Sequence, residues 1–503
     1  MILVKSAALS GLRVHEIDVE VDTVNSIPQV SIIGLPDAAI SEAKERLRVA
    51  IKNSSFTFPN KKVVINLAPA DLKKEGASYD LAMAVGILAH EGIIKDYDFE
   101  HTAFLGELSL DGSLRGVNGV LAAAIELEKL KIKRLIIPNE NLKEASFAES
   151  IEVLGADNLV QVVEYLNNRC QLKKLKQNIS DFLDVENKFD VDFANIKGQM
   201  QAKRALEIAA SGGHNVLMKG TPGAGKTMLA KAFMSILPPL TSDEAIELTK
   251  LYSVSGLLDN STPLITKRPF RSPHHSSSSV GIIGGGSSPK PGEITLAHRG
   301  VLFLDEIVEF PRGVLEVLRQ PLEDREVTIS RASASVKYPA NFILIGAMNP
   351  CPCGYFGDEI KECTCTPAQI NKYASRISGP LLDRIDIQIN VKRLTDEELV
   401  SDIKSETSAE IRKRVIKARQ IQYERYKNED ILINGELSNK LIKKYCEIDN
   451  ETKSFLKNAI NKFNLSARAY YRILKISRTI ADLEESEKIQ LSHIAQSLQF
   501  RSM

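Results

Sequence analysis

Gly220-Thr-Pro-Gly-Ala-Gly-Lys-Thr227 is a full match to G-x-x-x-x-G-K-[ST]. That spacing lets successive backbone N–H groups close around phosphates while one ammonium and one hydroxyl reach the far end of the charge. Gly220, Thr221, Pro222, Gly223, Ala224 and Gly225 are expected to cradle a nucleoside triphosphate. Lys226 would reach its β- and γ-phosphates, and the Thr227 hydroxyl would ligate Mg²⁺. A second acidic element lies about eighty residues downstream, where Val301-Leu-Phe-Leu runs into Asp305-Glu306. Two carboxylates at the end of a buried parallel strand sit where such sheets bind ligands. Asp305 is expected to hold the Mg²⁺ through water, and Glu306 to orient the attacking water.

A phosphate loop works only between a strand and a helix start, because the helix N-terminus favours negative charge. Both flanks are legible: 214–219 is a short apolar strand, and 228–237 has helical spacing and stops at Pro238-Pro239. A third apolar strand, 341–348, delivers Asn349. Around this centre the chain divides. Residues 1–165 alternate β-rich runs (30–33, 62–66, 134–137) with helical stretches (38–53, 79–90, 120–130), an α/β pattern. Residues 166–192 are rich in Lys, Asn, Asp and Glu and read as a linker. Residues 193–395 form a second α/β region with a parallel sheet, and 396–503 are helical with almost no Gly or Pro.

Composition sets outer limits. A chain of 503 residues has room for about three domains. The net charge of +1 names no partner, so any nucleic-acid surface must be local. No apolar run approaches the ~18 residues of a membrane span, and the N-terminus is a poor signal peptide. The expected location is cytoplasmic. Four of the six cysteines, Cys351, Cys353, Cys363 and Cys365, fall within fifteen residues and offer thiolates for a tetrahedral, structural Zn²⁺. Their C-x-C spacing is tighter than usual, so reduced structural thiols or a redox pair stay open as alternatives. Cys170 and Cys446 stand alone.

Taken together, the three strands resemble the AAA+ ATPase core. The resemblance implies that Asn349 senses the γ-phosphate and that Ile196, Gly198 and Gln199 lie near the adenine. Arg384, in Ser378-Gly-Pro-Leu-Leu-Asp-Arg-Ile-Asp, matches the arginine that reaches a neighbouring subunit's γ-phosphate in the magnesium-chelatase and replicative-helicase branch; Arg376 is its rival. Arg468, in Leu465-Ser-Ala-Arg468, matches that branch's second sensor. An arginine acting in trans implies a homo-oligomeric ring, six subunits being the family's usual number.

More specific motifs are Arg268-Pro-Phe-Arg-Ser-Pro-His-His-Ser, Pro291-Gly-Glu-Ile-Thr-Leu-Ala-His-Arg-Gly, Asn349-Pro-Cys-Pro-Cys-Gly and Ala467-Arg-Ala-Tyr-Tyr-Arg-Ile-Leu-Lys. Through them the chain resembles the bacterial YifB/ComM family of magnesium-chelatase-like ATPases over nearly its whole length. The implied function is a hexameric, ATP-driven helicase that promotes branch migration on single-stranded or branched DNA during natural transformation or recombination. Basic residues of an insertion (Lys267, Arg268, Arg271, His274, His275, Lys290) and of a hairpin (Arg331, Lys337) are candidate DNA contacts, tracking phosphates without reading bases. The basic run 411–427 reads as a solvated helix face.

The N-terminal region resembles the Lon-type proteolytic domain, with Ser78 at the nucleophile position. The position of its lysine base holds Leu121, so Ser78 would stay an unreactive alcohol. DNA binding or ring assembly is the expected role. Two alternatives to the motor remain at this level, an ATP-dependent Lon-like protease and a chelatase-type remodelling subunit.

Overall fold

Alternating inward apolar and outward polar residues turn the start of the chain into a hairpin, Ile2–Ser10 paired antiparallel with Arg13–Val24. Val4, Ile17, Val19 and Val21 are buried on its inner face. The computed structural model describes the chain except residues 96, 184–188, 260, 287–289, 331–334, 395–404, 464 and 502–503. Two compact units result: Met1–Val185 with Thr241–Thr266, and Glu186–Leu240 with Lys267–Met503.

The first unit is built on a mixed eight-stranded sheet in which the opening hairpin is flanked by Lys62–Ala68 and Gln29–Ile33 on one side. Thr102–Phe104, Arg134–Pro138 and Glu152–Ala156 continue it on the other in parallel pairing, and Lys173–Lys174, within the stretch expected as a linker, closes that edge as an antiparallel eighth strand. The helix Ala38–Asn53 has the bounds its periodicity predicts, with Asp37 accepting the Ile40 N–H as N-cap. The helix Asp80–His90 is buried along nearly its whole length, against Val4 and Val21 at Gly86. Residues 241–266, expected inside the second α/β region, fold here instead. Their helix, Ser242–Val254, opens on a Thr241/Glu244 capping box. It buries Ala245, Leu248 and Leu251 and packs on Val120–Lys129, where the Gly119 N–H donates to Ser253 Oγ at 2.9 Å.

The second unit carries a five-stranded, all-parallel sheet in the order Phe270–Arg271, Val301–Leu304, Ile343–Met348, Val216–Gly220, Ile387–Val391. Both faces are covered, so its inner strands read as unbroken apolar runs: Val301–Leu304 and Ile343–Met348 are buried at every position. Each such buried aliphatic side chain contributes about 1.5–3 kcal/mol, which fixes the register that aligns the strand ends.

The C-terminal region is helical, as expected: Ser408–Arg425, Asn439–Tyr445, Asn450–Phe463, Ala467–Leu483 and Leu491–Gln499. The boundary expected at 395–396 lies outside the described residues. Ser408–Arg425 packs on Met200–Gly212 and Lys226–Ile236, and its charges are largely spent within the unit. Arg419 donates to the Ala210 carbonyl at the end of Met200–Gly212, satisfying an orphan acceptor there. Arg414 and Lys417 pair with Glu207 and Glu485. No described helix is long and apolar enough to cross a membrane.

Candidate nucleotide-binding site

The Val216–Gly220 strand ends in the glycine loop, and the helix Lys226–Ile236 begins where the loop stops. Gly223 and Gly225 have φ of +77° and +90°, and a Cβ on either would meet nothing within 4 Å. The left-handed backbone, not crowding, is what demands glycine there. Lys226 Nζ donates to Gly220 O at 2.7 Å, Thr221 O at 3.0 Å and Asn349 Oδ1 at 3.1 Å. Burial lowers the pKa of this ammonium, while Asp305 and Glu306 oppose the shift.

Parallel register brings the next strand ends alongside. Asp305 follows Val301–Leu304, and its Oδ2 accepts the Thr227 hydroxyl at 2.9 Å while Oδ1 accepts the Glu306 N–H at 3.0 Å. Two hard oxygen donors on one spot, with a lysine beside them and free backbone conformation around the loop, fit a Mg²⁺–triphosphate. Glu306 has φ +49°, which turns its carboxylate away from the strand line; its side chain is 55 % exposed. Upstream, Gly198 and Gln199 both have φ +55°, and the Ile196 carbonyl accepts Lys203 Nζ and Ser405 Oγ.

Arg384 and Arg468 go elsewhere. With Arg325, Arg472, Lys475 and Asp386 they line a cavity of about 490 Å³ that includes no phosphate-loop residue. Arg384 bonds the Pro380 carbonyl at 2.8 Å and the Glu323 carboxylate, leaving its Nε buried without a partner. Its rival Arg376 pairs with Glu309 at 2.8 Å. Asp386 is buried; burial alone would raise its pKa, yet the Arg472 guanidinium and His214 hold it well below the usual carboxylate range.

The candidate DNA contacts fare differently from one another. Arg271 forms a two-pronged ion pair with Glu293, at 2.6 and 2.7 Å, tying the Phe270–Arg271 edge strand to the helix Glu293–Leu296. Lys337 stands on the hairpin Glu326–Ser330/Ser335–Pro339, its side chain 60 % exposed and 2.8 Å from Glu326. Arg331 lies outside the described residues. In the first unit Ser78 immediately precedes Tyr79 and the buried Asp80, and Leu121 is fully buried in Val120–Lys129, with no amine at that position.

Cys351, Cys353, Cys363 and Cys365 converge: all four sulfurs lie within 4.8 Å of one another. Cys351 Sγ is 3.3 Å from Cys353 Sγ and 3.6 Å from Cys363 Sγ, and Cys353 Sγ is 3.6 Å from Cys363 Sγ. These spacings are far longer than a disulfide's ~2.05 Å. They are close to the ~3.8 Å edge of a thiolate tetrahedron with ~2.3 Å Zn–S bonds. The Cys353 and Cys365 N–H groups also point at sulfurs, each at 3.4 Å.

Sequence reasoning did not single out four features of this unit. They are His275 beside Glu306, Glu323 on Arg384, Arg472 and Lys475 in the arginine cavity, and Gly354 against Pro222. His275, Gly354, Arg472 and Lys475 stand inside motifs quoted from the sequence, His275 there as a candidate DNA contact, but no local pattern gave their partners, and Glu323 lies in none of those motifs.

Comparison with known proteins agrees over the whole chain. Sequence models of magnesium chelatase subunit ChlI match residues 192–399, of ChlI as a subunit of Mg-chelatase residues 19–141, and of the ChlI C-terminal part residues 405–501. The chain is 43 % identical to the competence protein ComM of Haemophilus influenzae, covering all of this chain and 97 % of that protein. It is 40 % identical to a YifB protein of Salmonella typhimurium over the same shares of the two chains. A magnesium-chelatase 67 kDa subunit of Heliobacterium mobile is 28 % identical across 31 % of this chain and 28 % of its own length.

Proposed function

Because the chain belongs to the YifB/ComM family of magnesium-chelatase-like AAA+ ATPases, we propose that it is an ATP-driven DNA motor. In this reading it assembles as a hexameric ring in the cytoplasm and promotes branch migration during natural transformation or homologous recombination. The observation that carries the ATPase part is the meeting of Lys226, Thr227, Asp305 and Asn349 at three neighbouring strand ends. The DNA part is supported by full-length similarity to a competence protein.

Lys226 binds the β- and γ-phosphates, and the loop from Gly220 to Gly225 supplies N–H donors. Thr227 and Asp305 hold Mg²⁺, which neutralises charge that develops on the phosphate oxygens. Glu306 orients water for in-line attack, and Asn349 contacts the γ-phosphate. Arg384, with Arg468 on the same cavity, serves the triphosphate of the neighbouring chain, where a guanidinium spreads transition-state charge. Ile196, Gly198 and Gln199 border the adenine. Lys337 and Arg331 follow the DNA backbone; Arg271 drops out of that set, since Glu293 occupies its guanidinium. The four clustered cysteines hold a structural Zn²⁺. A protease reading is disfavoured by the buried leucine where a base is needed.

The test is ATP hydrolysis with and without single-stranded or forked DNA, together with branch migration on a synthetic Holliday junction. Stimulated hydrolysis and ATP-dependent junction movement are expected. Protein that neither binds DNA at low salt nor moves the junction overturns the motor. Porphyrin metallation that requires this chain would favour a chelatase-type subunit instead.

A further inference from the structure

The cysteine cluster is not remote from the phosphate loop. Asn349, whose side chain accepts from Lys226, is separated from Cys351 by Pro350 alone. Beyond Cys353 the chain turns at Gly354, which is buried with φ +87°; a Cβ there would stand 2.8 Å from both Cδ and Cγ of Pro222 in the phosphate loop. Further along, the Asp358 carboxyl is held below its usual range by the Ile360 and Lys361 N–H groups, which its Oδ1 accepts at 2.8 and 3.0 Å. Thr221 Oγ1 and Asp358 Oδ2 are both buried and have no hydrogen-bond partner among the described residues. After Cys365 the chain enters the helix Pro367–Ala374, anchored by the buried Tyr373. The excursion therefore leaves from Asn349 and rests on Pro222.

Little apolar packing holds the segment between the two cysteine pairs. Phe356 and Ile360 are 50 % and 67 % exposed, and the ring of Tyr355 is covered by Lys361 Nζ at 4.2 Å. A loop of this kind needs another cross-link to keep one conformation, and four sulfurs at tetrahedral spacing provide it once a metal joins them.

Resting on the ATPase and zinc readings above, we propose that Zn²⁺ bound by Cys351, Cys353, Cys363 and Cys365 is the clamp that seats this loop on Thr221–Pro222 and positions Asn349, so that metal occupancy sets the affinity for ATP. The zinc is a positioning group and touches no reacting atom. Its four ligand positions are all filled by thiolate, which leaves no site for water and excludes a hydrolytic role for this ion.

The test uses the full-length protein under reducing conditions. Metal analysis should give one zinc per chain, and cobalt exchanged into the site should show the absorption of a tetrahedral thiolate complex. Zinc is then removed by a chelator and binding of a fluorescent ATP analogue is measured alongside circular dichroism and the melting curve. The expected result is an affinity about tenfold weaker in the metal-free protein, with secondary structure kept, and recovery on adding one equivalent of Zn²⁺ but not extra Mg²⁺. Cys363→Ser should behave like the metal-free protein; if that variant does not fold, chelated wild type still decides. Substoichiometric zinc in fresh protein, unfolding on metal removal, or equal ATP affinity with and without zinc overturns the clamp while leaving the ATPase reading intact. Zinc-loaded protein that binds no nucleotide overturns the ATPase reading and the clamp together.

Discussion

His275 Nδ1 lies 3.7 Å from Glu306 Oε2, beyond hydrogen-bond length but within ion-pair range for a protonated imidazole, beside the carboxylate that the proposed mechanism requires on the attacking water. His275 is steadied by His274, with ring centroids 4.1 Å apart, and by the edge of Phe310. It sits on the segment that follows the edge strand Phe270–Arg271, which pairs with the very strand that delivers Asp305 and Glu306. A rearrangement of that insertion on DNA would thus reach Glu306 directly. His275→Ala is expected to raise DNA-free ATP hydrolysis several-fold and to shrink stimulation by single-stranded DNA. Steady-state rates with and without DNA check this, and an unchanged ratio would remove His275 from the mechanism.

Lys226→Ala should abolish ATP binding, because it deletes the only amine at the loop and leaves the Gly220, Thr221 and Asn349 acceptors unpaired. Glu306→Gln should instead bind ATP normally and lose turnover by about 10²-fold or more, the usual weight of a positioned general base. Nucleotide titration and single-turnover hydrolysis separate the two effects. Similar losses of binding in both variants would contradict the division of roles.

Arg384 lines a cavity that includes no phosphate-loop residue, and the role proposed for it is to serve the triphosphate of a neighbouring chain. Arg384→Ala should reduce hydrolysis by about 10³-fold or more at unchanged ATP affinity. Mixing Arg384→Ala with Lys226→Ala chains should restore part of the rate, since one interface then pairs an intact arginine with an intact lysine. No recovery on mixing, at concentrations where rings form, would argue that the arginine acts within its own chain.

Lys475 gives a pH-dependent stability signature. Burial pushes its ammonium down to about 8; Asp386 opposes this and Arg472 and Arg325 add to it. The folded chain therefore holds fewer protons than the unfolded one between about 8 and the ordinary lysine value of 10.5, and stability rises with pH through that window. At pH 7 the buried charge costs on the order of 3 kcal/mol. Lys475→Met should melt higher than wild type at pH 7, with the difference closing toward pH 10.5. A variant that melts lower at pH 7 with an undiminished pH slope would show that the Lys475 contact to the Gly435 carbonyl outweighs the desolvation.

The sequence alone determined what short-range physics controls. Apolar periodicity and an Asp37 cap define the helix 38–53, and glycine spacing, apolar strand and helix start define the loop 220–227. The acidic pair at 305–306 and the four-cysteine group are legible for the same reason, since each is carried by a contiguous or nearly contiguous stretch. Tertiary structure decided everything that depends on which strand lies beside which. The parallel order of the sheet, not any spacing in the chain, brings Thr227 to Asp305 and Lys226 to Asn349. The same long-range pairing gives Arg271 to Glu293, sends residues 241–266 to the first unit, and gathers Arg384 and Arg468 around one cavity. Those contacts join residues far apart in the chain, and their energy comes from burial and register that no local window contains.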